Sequence, residues 1–129
     1  MEQAKLLDIH IQLRRTYNLL GEVLDLSRQL AEALDRNDAM SAQLLLSMRG
    51  DPIKQLQETR SSIERQLETM STEDRMHLRA LLNGGPATAP EEQNFADQVA
   101  SNARLLKQVQ DLDRALSAKI AREDSVYLQ

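Results

Sequence analysis

Residues 6–34 read LLDIHIQLRRTYNLLGEVLDLSRQLAEAL, and the spacing of their apolar and small members decides the fold class. Leu6, Ile9, Leu13, Thr16, Leu20, Val23, Ser27, Leu30 and Leu34 succeed one another at alternating steps of three and four. A strand would alternate every second residue; a 3/4 repeat sustained this long keeps one stripe on one side of an α-helix. The spacing predicts a single helix over 2–36, with Leu7, Leu19, Leu24, Leu26 and Ala31 widening the stripe. A stripe that wide serves more than one neighbour.

The same periodicity continues downstream. Asn37-Asp38 breaks the first helix, and Asp38 suits the cap of the next. A short helix is expected over 39–49, with Met40, Leu44, Leu45 and Met48 inward and Gly50 closing it in the left-handed region. Asp51-Pro52 reads as the cap and first turn of a third helix over 52–70, carrying Ile53, Leu56, Arg60, Ile63, Leu67 and Met70. Ser71 with Asp74 either caps another helix over 72–83 or marks a bend, with Met76, Leu78, Leu81 and Leu82 on the apolar side of that piece. Residues 84–88, the Gly-Gly-Pro stretch, form the clearest loop. Thr88 with Glu91 makes a capping box for a long last helix over 89–124. Its stripe is Phe95, Val99, Asn102, Leu106, Val109, Asp113, Leu116 and Ile120, flanked by Leu105 and Leu112. The fold expected is all-α: a single helical domain over 1–129, an elongated antiparallel bundle or coiled coil of two long and two or three shorter helices.

Composition narrows the function classes. The chain has 129 residues, of which 28% are charged and only 2% aromatic. With no cysteine, thiolate catalysis and Cys-ligated metal sites are excluded. Lys plus Arg number 16 against 20 Asp plus Glu, interspersed throughout, so the basic footprint that nucleic-acid binding depends on is missing. The longest purely apolar run, Leu44-Leu45-Leu46, is far too short for a membrane span, and the charged opening Met1-Glu2-Gln3-Ala4-Lys5, with no apolar run after it, is not expected to act as a signal peptide. His10 and His77 stand in neither Glu-x-x-His nor His-x-x-x-His spacing, Gly84-Gly85 lacks the lysine of a phosphate loop, and no serine sits in a nucleophile elbow. These readings point to a cytoplasmic interaction protein without cofactor, metal or catalytic residues.

Two further features bear on partners. Asn102 and Asp113 interrupt the last helix's seam, either fixing register within the bundle or leaving that helix open to a docking helix. The five methionines fit core filling or a binding surface, with core filling favoured.

The layout resembles the small bacterial flagellar export chaperones of the FlgN and FliT kind. The resemblance is carried by the charged junction Glu32-Ala33-Leu34-Asp35-Arg36-Asn37-Asp38-Ala39. It is closer in Asn102-Ala103-Arg104-Leu105-Leu106-Lys107-Gln108-Val109-Gln110-Asp111-Leu112-Asp113, a Leu-rich run opened by Asn and closed by Asp. It implies a type III export chaperone that holds an amphipathic helix of a hook-associated or filament-cap client. The partner-binding residues expected are Leu105, Leu106, Val109, Leu112, Leu116 and Ile120. The alternative reading is a homodimeric coiled-coil adaptor with no export role.

Overall fold

The first helix forms as the repeat requires. In a computed structural model that describes residues 2–128, with side chains described for residues 2–122, α1 spans Gln3–Asp35. It buries Leu6, Ile9, Leu13, Leu19, Leu20, Val23, Leu24, Leu26, Leu30 and Ala33. Ser27 is also fully buried, and its hydroxyl donates to the Val23 carbonyl (2.7 Å). Asn37 ends the helix in the left-handed region (φ 57°), which asparagine tolerates better than most residues. The Asp38 N–H donates to the Ala33 carbonyl (2.9 Å) and the Asn37 N–H to Leu34 (3.1 Å), satisfying carbonyls that the helix end leaves free. Asp38 then turns its carboxylate to the Ser41 N–H (3.1 Å) and caps α2.

α2 is a single helix, Ala39–Glu68, where the sequence reading expects two. Gly50 lies inside it, and Asp51 accepts from the Gln55 side chain instead of capping. Pro52 removes one backbone bond, an interruption a helix survives when packing holds both flanks. Here Pro52 is itself fully buried, with Ala42 and Leu45 before it, and Ile53 and Leu56 after it, packed into the core. The inward face also differs from the expected one. Met40, Leu44 and Met48 are exposed, and of the four residues assigned inward only Leu45 packs. Continuing the helix through residue 52 ties its rotation to Pro52, Thr59 and Leu67, and that turns Met40 and Leu44 to solvent.

α3 spans Thr72–Leu82, with the Ser71 hydroxyl accepting from the Asp74 N–H (3.2 Å) as its spacing predicts. It ends on Gly84 (φ 92°). The Gly85 N–H reaches back to the Ala80 carbonyl (2.9 Å), so close that a Cβ at Gly85 would lie 2.8 Å from that oxygen. After the loop, Pro90–Glu92 forms a turn of 3-10 helix that leads into α4, Gln93–Leu128. Thr88 does engage an acidic residue, but one position later than expected. Glu92, not Glu91, accepts from both the Thr88 N–H and its hydroxyl (each 3.0 Å). The 3-10 turn shifts the helix start and brings Glu92 round to Thr88.

Among the described residues there are four α-helices and no strand, an all-α bundle. α2 runs antiparallel to α1, whereas α4 runs parallel to it, a departure from the all-antiparallel arrangement expected. The parallel register is set by His10 edge-on to Phe95 (ring centroids 5.8 Å apart), Asn102 to the Leu13 carbonyl and Lys119 to Asp35. It arises because the loop after α3 carries the chain back to the end where α3 began. Three clusters stack along α1. The first joins Leu6, Ile9 and Leu13 to Leu67, Leu78, Leu81, Phe95 and Val99; the second is centred on Leu20, Val23, Leu24 and Val109; the third holds Leu30, Ala33, Ala42 and Leu116.

Two glycines distinguish helix interior from helix stop. Gly50→Ala meets no atom within 4 Å and is expected to stabilise the protein by about 0.5–1 kcal/mol. Gly85→Ala must displace the Ala80 backbone and is expected to cost about 1–3 kcal/mol. Urea denaturation of both variants checks the pair.

Candidate helix-binding cleft

α2 and α4 flank α1 but do not close on each other. Among the described residues the backbones of these two helices stay more than 8 Å apart, Cα to Cα. At one end the gap is filled by α3, which contacts both and inserts Leu78 and Leu81 into the first cluster. α3 is only 11 residues long, about 16 Å at helical rise. Past its C-terminus the position of a fourth helix is unoccupied by the chain. There an apolar groove of about 260 Å³ is lined by Leu13, Thr16 and Leu20 of α1, Leu82 of α3, and Val99, Asn102, Ala103 and Leu106 of α4. On α2, the half-buried Ile53 and Leu56 pack against the second cluster.

The closed end is fixed by polar contacts around α3. Arg79 makes two bonds to the Glu64 carboxylate (3.0 and 3.4 Å), tying α3 to α2. His77 Nε2 lies 2.7 Å from Glu92 Oε2, tying α3 to the start of α4. The hydrogen bond from His77, with those from Thr88, holds the Glu92 carboxyl below the usual glutamate range against the opposing effect of its burial. Leu82 is thereby held at the groove's mouth.

Farther along, Arg49 of α2 reaches across to Asp113 of α4 (Nη2 to Oδ1, 2.6 Å). The arginine side chain is 13% exposed and its Nε is buried without a partner. Asn102 donates from Nδ2 to the Leu13 carbonyl (2.9 Å) while its Oδ1 accepts from Gln98 (2.9 Å). Both polar seam residues of α4 are therefore satisfied within the chain. The expectation that they leave the α4 face open does not follow from them; they set the α4 register, as buried polar seam residues do elsewhere.

The six residues expected to bind a partner separate accordingly. Val109 and Leu116 are buried in the second and third clusters, Leu105 and Leu112 are half-buried against the same clusters, and Ile120 is half-buried. Leu106 alone is largely exposed, at 42%, and it lines the groove. The sequence reading missed Leu13, Leu20 and Leu82 as groove-lining residues. Each sits on a predicted apolar stripe, and the sequence carries no signal that the opposing wall stops short.

His10 and His77 have structural neighbours, Phe95 and Glu92. Burial, and secondarily the charge of Arg14, lowers the His10 pKa. Among the described residues no three His, Asp or Glu side chains gather as a metal site would require, and no helix is long and apolar enough to cross a membrane. The chain matches no protein-family model, curated protein or solved structure in comparison.

Because Leu112 packs against two clusters, Leu112→Asp is expected to destabilise the fold by about 2–4 kcal/mol in thermal or urea denaturation. Asn102→Ala strips the Leu13 carbonyl of its side-chain donor and is expected to cost about 1–3 kcal/mol. Glu92 carries a pH signature. Its folded pKa is depressed, so its contribution is complete above the ordinary value of 4.5 and is lost as pH falls through the lowered folded value. The stability gap between the protein and Glu92→Gln should therefore be widest near neutrality and shrink in acid. A gap that stays constant from neutral to acid pH contradicts the assignment.

Proposed function

We propose that the protein is a helix-holding chaperone whose groove between α1 and α4, beyond the end of α3, receives an amphipathic helix of another protein, end to end with α3. The observation that supports this reading is the occupant already present. α3 shows which kind of segment this position takes: a short helix that places Leu78 and Leu81 inward. Beyond Leu82 the same position continues as an apolar groove floored by Leu13 and Leu20 and edged by Val99 and exposed Leu106. An incoming helix with apolar residues at i, i+3, i+4 and i+7 matches such a groove. The client class, a hook-associated or filament-cap export substrate held in the cytoplasm before export, is proposed from the resemblance of residues 102–113 to the flagellar export chaperones.

The test is calorimetric titration with synthetic C-terminal helices of hook-associated and filament-cap proteins from the same organism. Binding is expected, and Leu106→Asp should weaken it by about tenfold or more while the melting temperature holds. Leu20→Asp, in the second cluster, should instead unfold the bundle. Binding that Leu106→Asp leaves unchanged places the site elsewhere. If none of these helices binds, the export reading fails and the adaptor reading takes its place.

A further inference from the structure

The position that α3 leaves open is crossed farther along by an ion pair. On α4, Leu106 and Asp113 stand two turns apart on one face, in a row that Val99 and Ile120 extend in both directions. On α2, Leu45, Arg49, Ile53 and Leu56 share a face in the same way, and all four are half-buried. Arg49 and Asp113 are the only charged members of these two rows, and they meet, Nη2 to Oδ1, at 2.6 Å. Because the two backbones stay more than 8 Å apart, the paired side chains span the gap between the helices. Among the described residues no other side-chain hydrogen bond or ion pair joins α2 to α4.

The position of the bridge sets a length. Asn102 lines the groove beside Leu82, where α3 ends, and from Asn102 to Asp113 the axis of α4 rises about 16 Å. That is the length of α3 itself, 11 residues. The space between the end of α3 and the bridge therefore holds about three turns of helix. A helix is about 10 Å across, so one lying in the groove cannot continue past the bridge without parting it. Parting would strand an arginine that is 13% exposed and whose Nε already lies buried without a partner. Breaking such a pair leaves an uncompensated charge in a partly buried site, which is strongly unfavourable. Intact, the pair adds little stability over apolar residues of similar volume, but it places a barrier where the two rows are otherwise apolar.

We infer that Arg49 and Asp113 form a stop across the groove and set the length of the helix it accepts, about three turns counted from the end of α3. This inference rests on the helix-holding reading and supplies the residues that determine specificity at that site. Holding the register of α4 and stopping an incoming helix are compatible roles, and peptide length separates them.

The test uses two amphipathic peptides with blocked ends and leucine at i, i+3, i+4 and i+7, one of 11 residues and one of 18. Each is titrated calorimetrically into the unaltered chain and into the double variant Arg49→Ala/Asp113→Ala. Comparing proteins with the same peptide cancels the peptide's own helicity, which rises with length. The 11-residue peptide is expected to bind both proteins alike. The 18-residue peptide is expected to bind the double variant about tenfold tighter than the unaltered chain. The exchanged pair, Arg49→Asp/Asp113→Arg, rebuilds the bridge and should return the 18-residue peptide to its original affinity. If the first double variant fails to fold, Arg49→Gln/Asp113→Asn keeps the bulk, removes both charges and takes its place. A bridge-free variant that binds both peptides as the unaltered chain does overturns the stop, leaves the helix-holding reading in place and assigns the pair to register alone. An exchanged pair that does not restore the original affinity also overturns it. If neither peptide binds any of these proteins, the helix-holding reading falls and the stop falls with it.

Discussion

The structure depends on the breadth of the buried face of α1. Its buried residues run from Leu6 and Ile9 through Leu19, Leu24 and Leu26 to Ala33, wider than one seam between two helices requires. α1 can therefore hold α2 on one flank and α4 on the other with the backbones of those two apart, bridged by the Arg49–Asp113 pair. A narrower stripe would force α2 and α4 together into a closed three-helix bundle. The groove exists because α1 supplies its floor through Leu13, Thr16 and Leu20, while α3 and α4 supply its edges.

Polar groups decide how that arrangement is indexed. Aliphatic seams slide easily, and with 2% aromatic residues few large shapes lock this core. Fully buried Phe95 is the exception, and it sits at the end where four helices meet. Elsewhere Asn102 on the Leu13 carbonyl, Arg49 on Asp113 and Lys119 on Asp35 fix the axial position of α4. A one-turn slip would strand each of these groups, at a cost well above that of repacking leucine against leucine.

The cleft is concave, bounded by α3 at one end and by the Arg49–Asp113 pair farther along, and suits an inserted helix of limited length.

Helicity, the location of α1, the breaks at Asn37 and Gly84, and the caps at Asp38 and Ser71 were legible in the sequence. Each rests on interactions between residues a few positions apart. The apolar stripe of α4 was legible for the same reason. What lay beyond the sequence depended on distant partners. Gly50-Asp51-Pro52 has the local chemistry of a helix boundary, yet packing on both sides of Pro52 carries α2 through it. That continuation sets the rotation of the helix and so leaves Met40 and Leu44 in water, where a local reading buries them. Asn102 and Asp113 could mark either an open face or an internal register, and only the positions of Leu13 and Arg49, 89 and 64 residues away in the chain, decide for register. The cleft itself depends on α3 ending before the bundle does. The length of α3 is written in the sequence, but the fact that α2 and α4 stay apart beyond it is a property of helices packed in three dimensions.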